Sequence, residues 1–154
     1  MRIRFAWVGH TRNKHLRALQ EEYLRRLRRF VRVEVNEVRS ASGRRSAAET
    51  RRKEGKELLA TLGQKEYGVV LDSKGRAMTT QDLTRWFRKR RDGGVDAVCF
   101  LVGGEEGLAD EVLGRASLRL SLGPMTLPHE LARVVLVEQV YRAFTLLAGH
   151  PYSR

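Results

Sequence analysis

The sequence predicts an α/β protein of one domain, a mostly parallel sheet of five to six strands with helices on both faces. Three observations carry this. Short apolar or alternating runs recur along the chain, and each is followed by a segment of helical periodicity, the order that builds a parallel sheet. The run AVCFLV at residues 97–102 is unbroken, as expected of a central strand covered on both faces. The chain has 154 residues, enough for one core at roughly 100–200 residues per domain, and no repeat or linker divides it. The domain is therefore expected to span residues 1–154.

The elements follow in order. Residues 3–8 form a short apolar run that ends at Gly9, a first strand. Between residues 14 and 30, Leu16, Leu19, Tyr23, Leu24, Leu27 and Phe30 draw an apolar stripe along an otherwise charged segment, a helix. Val31, Val33 and Val35 alternate with Arg32, Glu34 and Asn36, the period of a half-buried strand. Residues 40–45 read as a loop. Ser46 and Glu49 then have the spacing of a capping box and open a helix to about Leu62, which Gly63 stops. Residues 67–71 are a third strand and residues 72–76 (DSKGR) a turn. Thr79 or Thr80 caps a basic helix through Arg91, and Gly93-Gly94 ends it. After the strand at 97–102 come Gly103-Gly104, a short helix near residues 110–116, a strand at 118–122, the segment GPMTLPH at 123–129, and a long helix to about Leu147.

Composition narrows the function. The chain is 42% hydrophobic and 31% charged, a folded globular composition and not a disordered one. Cys99 is the only cysteine, which excludes an intrachain disulfide or a multi-cysteine zinc site. Inside its apolar strand it reads as a core residue. No stretch approaches about 18 apolar residues, and the start MRIRFAWVG is too short for a signal-peptide core. A soluble, cytoplasmic protein is expected, without membrane partner or metal. The net charge is +12 and it is unevenly placed: residues 1–60 carry 17 basic and 7 acidic side chains, residues 93–154 carry 5 and 7. Such a field suits docking on nucleic acid through the first part of the chain, because phosphate neutralisation supplies most of the non-specific affinity. The arginine excess also has a compositional reading, a GC-rich genome or a hot habitat.

In parallel sheets ligands bind at the carboxyl ends of strands, so three loops matter: those after Leu71, after Val102 and after Leu122. Each combines glycine or proline with a few polar groups. The P-loop pattern GxxxxGK[ST] is absent, and G-x-G-x-x-G does not follow the first strand. By itself Gly103-Gly104-x-x-Gly107 fits either close backbone packing or a backbone laid open to a ligand. The four histidines form no metal motif, and no Ser-His-Asp or Cys-His arrangement stands out.

The segment LSLGPMTLPHELARVVLVEQVYRAFTLLAGHPY at residues 120–152 changes the argument, together with LVGGEEGL at 101–108 and VVLDSKGRAMTT at 69–80. These resemble the small SPOUT methyltransferases, specifically the ribosomal RNA large subunit methyltransferase H family. The resemblance covers essentially the whole chain and is most specific in TLPHELARVVLVEQVYRAF. It implies an α/β fold with a deep carboxyl-terminal trefoil knot, S-adenosylmethionine as cofactor, and a homodimer. The implied substrate is the pseudouridine at position 1915 of 23S rRNA, methylated on ring nitrogen 3 in the assembled ribosome. By resemblance the cofactor residues are Leu71, Gly103, Gly104, Leu122, Gly123, Pro124, Met125, Thr126, Leu127 and Pro128, in the three loops that sheet logic had selected.

Methyl transfer needs an aligned nucleophile and loss of the imide proton. His129 is the first candidate for the proton, because the start of a helix favours a neutral ring; the alternative is a histidine that merely caps the helix. Arg142 is a candidate for a phosphate or a base carbonyl, yet Glu138 and Arg142 also have the spacing of a structural ion pair. Tyr152 and Arg154 suit base stacking and phosphate contact if the tail folds over a pocket, against the default of a frayed terminus. Two positions depart from the family pattern. Ser153 replaces a usual tail histidine, and His10 stands where lysine is common. The last helix is apolar on nearly all sides, which points to burial of the excess in a dimer. Two other readings stay open, a SPOUT enzyme acting on transfer RNA and a non-catalytic ribosome-binding factor.

Overall fold

The computed structural model describes residues 1–150 and Tyr152. Among them strands and helices alternate: β1 (Arg2–Val8), α1 (Lys14–Leu27), β2 (Arg32–Val38), α2 (Ala47–Thr61), β3 (Tyr67–Ala77), α3 (Thr80–Asp92), β4 (Ala97–Val102), α4 (Asp110–Arg115), β5 (Leu118–Ser121) and α5 (His129–Leu147). The five strands make one sheet in the order β2-β1-β4-β3-β5, and every neighbouring pair is parallel. The predicted class holds, with the smaller of the two expected strand counts.

Alternation of side chains across the strands divides the interior into two cores. On one face Ile3, Phe5, Trp7, Val69, Val98 and Phe100 pack with Leu24, Leu27, Phe87, Leu136 and Phe144 of α1, α3 and α5. On the other, Ala6, Val8, Val70, Cys99 and Leu101 pack with Leu58 and Val112 of α2 and α4. Strand β4 is buried along its whole length, which explains its unbroken apolar run. Burial pushes the Cys99 thiol up to about 12, so it is an inert core group.

Helix starts follow local chemistry. Asn13 accepts the N–H groups of His15 and Leu16 at the head of α1. Thr79 caps α3 in a complete capping box with Asp82, whereas Ser46 makes only its own half of the expected box, accepting the Glu49 N–H at 3.2 Å. α1 stops at Leu27, three residues short of the expected end, as the chain turns through residues 28–30.

Two expectations are corrected. The turn at residues 72–76 lies within β3: the ladder with β5 runs to Leu71↔Leu120, then resumes at Arg76↔Leu120 and Ala77↔Ser121. The turn chemistry is real, since Asp72 Oδ1 accepts the Lys74 N–H at 3.0 Å, but the chain rejoins the same partner strand afterwards. The second concerns α5. No residue of it is fully exposed, because α1 and α3 flank it on the sheet and bury most of its circumference within one chain. What stays half-buried is a narrower stripe that includes Leu131, Val135, Glu138 and Arg142.

The bulge brings Gly75 onto the backbone of β5, where a Cβ would lie 2.6 Å from the Arg119 carbonyl oxygen. Gly114 of α4 has open space instead. Gly75→Ala should therefore destabilise the protein by about 1–3 kcal/mol, while Gly114→Ala is neutral or stabilising by up to about 1 kcal/mol. Urea unfolding checks both, and equal stability of the two variants would refute the close approach.

Candidate functional site

Two adjoining pockets lie at the carboxyl ends of the strands, where a parallel sheet presents its loops and the amino ends of its helices. The first is a cavity of about 800 Å³ lined by the bulge of β3 and the loops after β4 and β5. Its walls are largely leucine: Leu71, Leu108, Leu113, Leu120 and Leu122. Of the residues singled out above, Leu71, Gly103, Gly104, Leu122, Gly123, Met125, Thr126, Leu127 and Pro128 line it; Pro124 shares the segment without lining the cavity.

Glycine is required at these loops for stated reasons. A Cβ on Gly103 would meet the Gly107 carbonyl oxygen at 2.7 Å. The loop closes on itself through Gly107 N–H to the Gly104 carbonyl at 3.1 Å, and Gly107 holds φ +81°, a conformation that other residues rarely adopt. The Ser121 hydroxyl accepts the Gly123 N–H at 3.1 Å and lies 3.2 Å from the Ser73 carbonyl, so one side chain joins the loops after β3 and β5.

The second pocket is about 650 Å³ and sits at the ends of β1 and β2. It shares Gly104, Glu105 and His129 with the first. Its character differs, for it is lined by His10, Arg12, Glu37, Arg39, Glu54 and Glu130. His129 is the first residue of α5 and borders both pockets. α5 has no side-chain cap, so the capping reading of His129 is not realised; the ring's near neighbour is Glu130, with Nε2 4.0 Å from Oε2. Glu130 in turn accepts the Asn13 N–H at 2.9 Å. Burial opposes ionisation of Glu130, but the backbone donors of Asn13 and Arg12 outweigh it and hold the carboxyl below its usual range.

Arg142 and Tyr152 are elsewhere. Thirteen residues of helix separate Arg142 from His129, about 20 Å at 1.5 Å per residue. Arg142 makes the ion pair that its spacing predicts, donating from Nη2 to Glu138 Oε1 at 2.6 Å, and this raises its pKa. The Tyr152 ring lies 4.8 Å from the Arg142 guanidinium and 4.7 Å from the Tyr141 ring, and its hydroxyl donates to Glu138 at 3.2 Å. Burial first, then Tyr23 and Glu138, push the Tyr152 phenol well above its ordinary value. Arg154 lies outside the described residues.

Two residues at the site escaped sequence reasoning. Arg133 is fully buried under Trp7, its guanidinium 5.3 Å from the ring. It donates to the Gly9 carbonyl and the Thr11 hydroxyl, each at 3.1 Å, and to the Val8 carbonyl. Glu54 is buried on α2 in the inward stripe Thr50, Glu54, Leu58. The signal in each case was a charge at an apolar position of a helical repeat. No group of three or more His, Cys, Asp or Glu among the described residues is placed to hold a metal, and no helix among them is long and apolar enough to cross a membrane.

Comparison with known proteins agrees with this geometry. A family model described as "Predicted SPOUT methyltransferase" matches residues 1–153. A ribosomal RNA large subunit methyltransferase H of Anaeromyxobacter sp. (strain K) is 43% identical over 154 residues, the whole of both chains. A protein of that name from Geobacter sp. (strain M21) is 38% identical over 99% of this chain and 98% of its own. Among solved structures, the tRNA (m1G37) methyltransferase of Aquifex aeolicus superposes with TM-score 0.57 over 92% of this chain and 70% of its own. At 15% identity that likeness concerns the fold.

The Arg133 contacts predict their own removal. Arg133→Met keeps the apolar stem but leaves the Val8 and Gly9 carbonyls and the Thr11 hydroxyl short of a donor. At about 1–3 kcal/mol for each buried unsatisfied group, the variant should lose about 3 kcal/mol or more in urea unfolding. A loss below about 1 kcal/mol would show that the tie is dispensable.

Proposed function

The chain belongs to the SPOUT methyltransferase family, and from that premise we propose that it methylates ring nitrogen 3 of the pseudouridine named above, in 23S rRNA of the assembled ribosome. The reading includes S-adenosylmethionine as methyl donor, a homodimer, and a cytoplasmic protein with no metal or membrane partner. Its main support is the convergence of three glycine-bearing loops on one cavity of about 800 Å³, within the size range of small-molecule sites. The leucine walls suit an adenine ring, and the backbone of Gly103 and Gly104 along the cavity suits its polar edge. Asp72 and Glu105 also line the cavity and supply negative charge near a cationic donor. Leu71, Gly103, Gly104, Leu122, Gly123, Pro124, Met125, Thr126, Leu127 and Pro128 would hold the cofactor. A knotted carboxyl-terminal region belongs to the same reading; β5 pairs with β3 although β4 stands between them in sequence.

When bound, the cofactor supplies a sulfonium-activated methyl carbon. The chain's own residues orient the acceptor and handle its proton. His129, at the junction of the two pockets, takes the proton from ring nitrogen 3. Arg142, Tyr152 and Arg154 serve the acceptor from a second copy of the chain, because in one chain Arg142 lies about 20 Å along the helix from His129. The half-buried stripe of α5 is the surface for that second copy. The relatives at 38% and 43% identity carry an rRNA methyltransferase name, whereas the tRNA enzyme matches in fold alone, so the ribosomal reading is preferred.

Methyl transfer from labelled S-adenosylmethionine to whole ribosomes, separated subunits, free rRNA and tRNA tests the substrate, using RNA from cells that lack this protein. Label is expected on a pseudouridine of large-subunit RNA, and only in ribosomes. Label on tRNA would establish the transfer-RNA reading, and absence of both label and cofactor binding would leave a binding factor. A second experiment tests the shared site. His129→Ala and Arg142→Ala should each lower turnover by about 10²-fold or more, and mixing the two variants should restore part of it by placing one intact site in each mixed dimer. Lack of recovery after subunit exchange would place all these groups in one chain.

A further inference from the structure

A third cavity, of about 550 Å³, lies at the other end of the sheet, between the last turn of α1 and the end of α5. Its volume falls in the range of small-ligand sites. Arg25, Arg26 and Arg29 line it against a single carboxylate, Glu22. Glu22 is shared: it accepts from Nε and Nη2 of Arg25 and from Nε of Arg26. That holds two guanidinium groups by one edge, while the exposed Arg29 makes no ion pair among the described residues. The remaining walls are rings. Phe30 lies 5.3 Å from His150, edge to face at 85°, and 6.1 Å from Tyr141. His150 is exposed and Phe30 half-buried, so both present surface to an incoming group. Tyr141 also ties the cavity to the neighbouring cluster, since its ring lies 4.7 Å from Tyr152, over which the Arg142 guanidinium sits at 4.8 Å.

We propose that this cavity binds a nucleotide that flanks the acceptor on the rRNA strand, with its phosphate on Arg25 and Arg29 and its base against Phe30 and His150. The inference rests on the function and the homodimer proposed above, in which this end of one copy serves the pockets of the other. Arginines that outnumber the carboxylate by two, set over an aromatic wall, fit a phosphate joined to a base: guanidinium forks grip phosphate oxygens, and unpaired bases stack on rings. A free anion makes no use of the rings, and an apolar protein surface makes none of the arginines. A base turned out of its stack for chemistry leaves its neighbours as the fixed points of the strand. Holding one of them aligns the acceptor with the methyl donor. Phosphate contacts set register without reading sequence, so the cavity positions the strand and leaves the choice of base to the pockets.

Arg29→Cys provides the test, as an attachment point for a photo-crosslinker. Cys99, the only native cysteine, is buried with its thiol pushed up to about 12, so residue 29 is labelled alone. The full-length protein is bound to ribosomes that lack the modification and irradiated, and methylation of the same ribosomes by the wild type is mapped alongside. Crosslinks are expected in large-subunit RNA at the nucleotides that flank the methylated base. Crosslinks to a ribosomal protein, to a second copy of the chain or to distant RNA overturn the site, as does the absence of any, while the mapped label leaves the proposed function standing. No label in large-subunit RNA overturns that function and this site with it. Arg25→Gln combined with Arg29→Gln should raise KM for ribosomes by about 10-fold with cofactor affinity unchanged. It should also flatten the fall of affinity with salt, by about 0.7 in the logarithmic slope for each phosphate released. Lys89→Gln combined with Arg91→Gln removes as much charge from the last turn of α3 and should have the smaller effect on both. An equal effect would reduce the cavity to part of a general field and overturn it.

Discussion

One buried guanidinium ties the carboxyl end of the sheet to the last helix. Arg133 is out of water and donates to two backbone carbonyls and a hydroxyl at the end of β1. Burial lowers its pKa, and the carboxylates of Glu130 and Glu37 offset this only through space. A charge so placed is costly unless its donors are used, so the geometry of residues 8–11 and of the first turn of α5 is fixed jointly. His129 stands one turn before Arg133, and Glu130 closes the same joint from the other side by holding the Asn13 N–H. Both pockets inherit their shape from this joint, because each has one wall on α5 and another on a strand end.

The two pockets divide the chemistry by their walls. The first is lined mainly by leucines and glycine-loop backbone, with Asp72 and Glu105 as its carboxylates. Charged side chains line the second, where Glu37 pairs with His10, Glu130 holds the Asn13 N–H and Glu54 holds the Ala41 N–H. The Gly103-to-Gly107 loop separates them, and its glycines pack closely while lining the first cavity. Of the two readings of that motif in the sequence, close backbone packing is met directly, since a Cβ at Gly103 would meet the Gly107 carbonyl oxygen at 2.7 Å.

Much of this was legible in the sequence. Period-two and apolar runs placed all five strands, and the helical stripes placed the helices, because one buried face per element is enough to impose a pattern. The three segments that line the first cavity followed from the rule that parallel sheets bind at strand ends. The extension of β3 was hidden, since Asp72 to Arg76 carries turn residues and nothing local says that the chain rejoins β5 beyond them. The girth of α5 misled for a similar reason: whether an all-round apolar helix is covered by its own chain or by another depends on where α1 and α3 lie. Glu54 and Arg133 were passed over because a charge in a helical stripe reads as solvated until its neighbours are known.

The uneven charge takes on meaning from the direction of the helices. In a parallel α/β fold the helices run back against the strands, so their last turns lie at the end of the sheet away from the pockets. Arg25 and Arg26 close α1 there, and Lys89, Arg90 and Arg91 close α3. Arg142 and Tyr152 belong to the same end, beside Tyr23 and Tyr141. This basic cluster and the first cavity therefore lie at opposite ends of the sheet, while Arg12 and Arg39 line the second pocket. A two-fold axis across the half-buried stripe of α5 reverses one helix against the other. In the proposed homodimer this would set the basic end of each copy, with its Arg142 and Tyr152, next to the pockets of its partner. The placement of these charges thus supports the homodimer of the proposed function, alongside the half-buried stripe of α5.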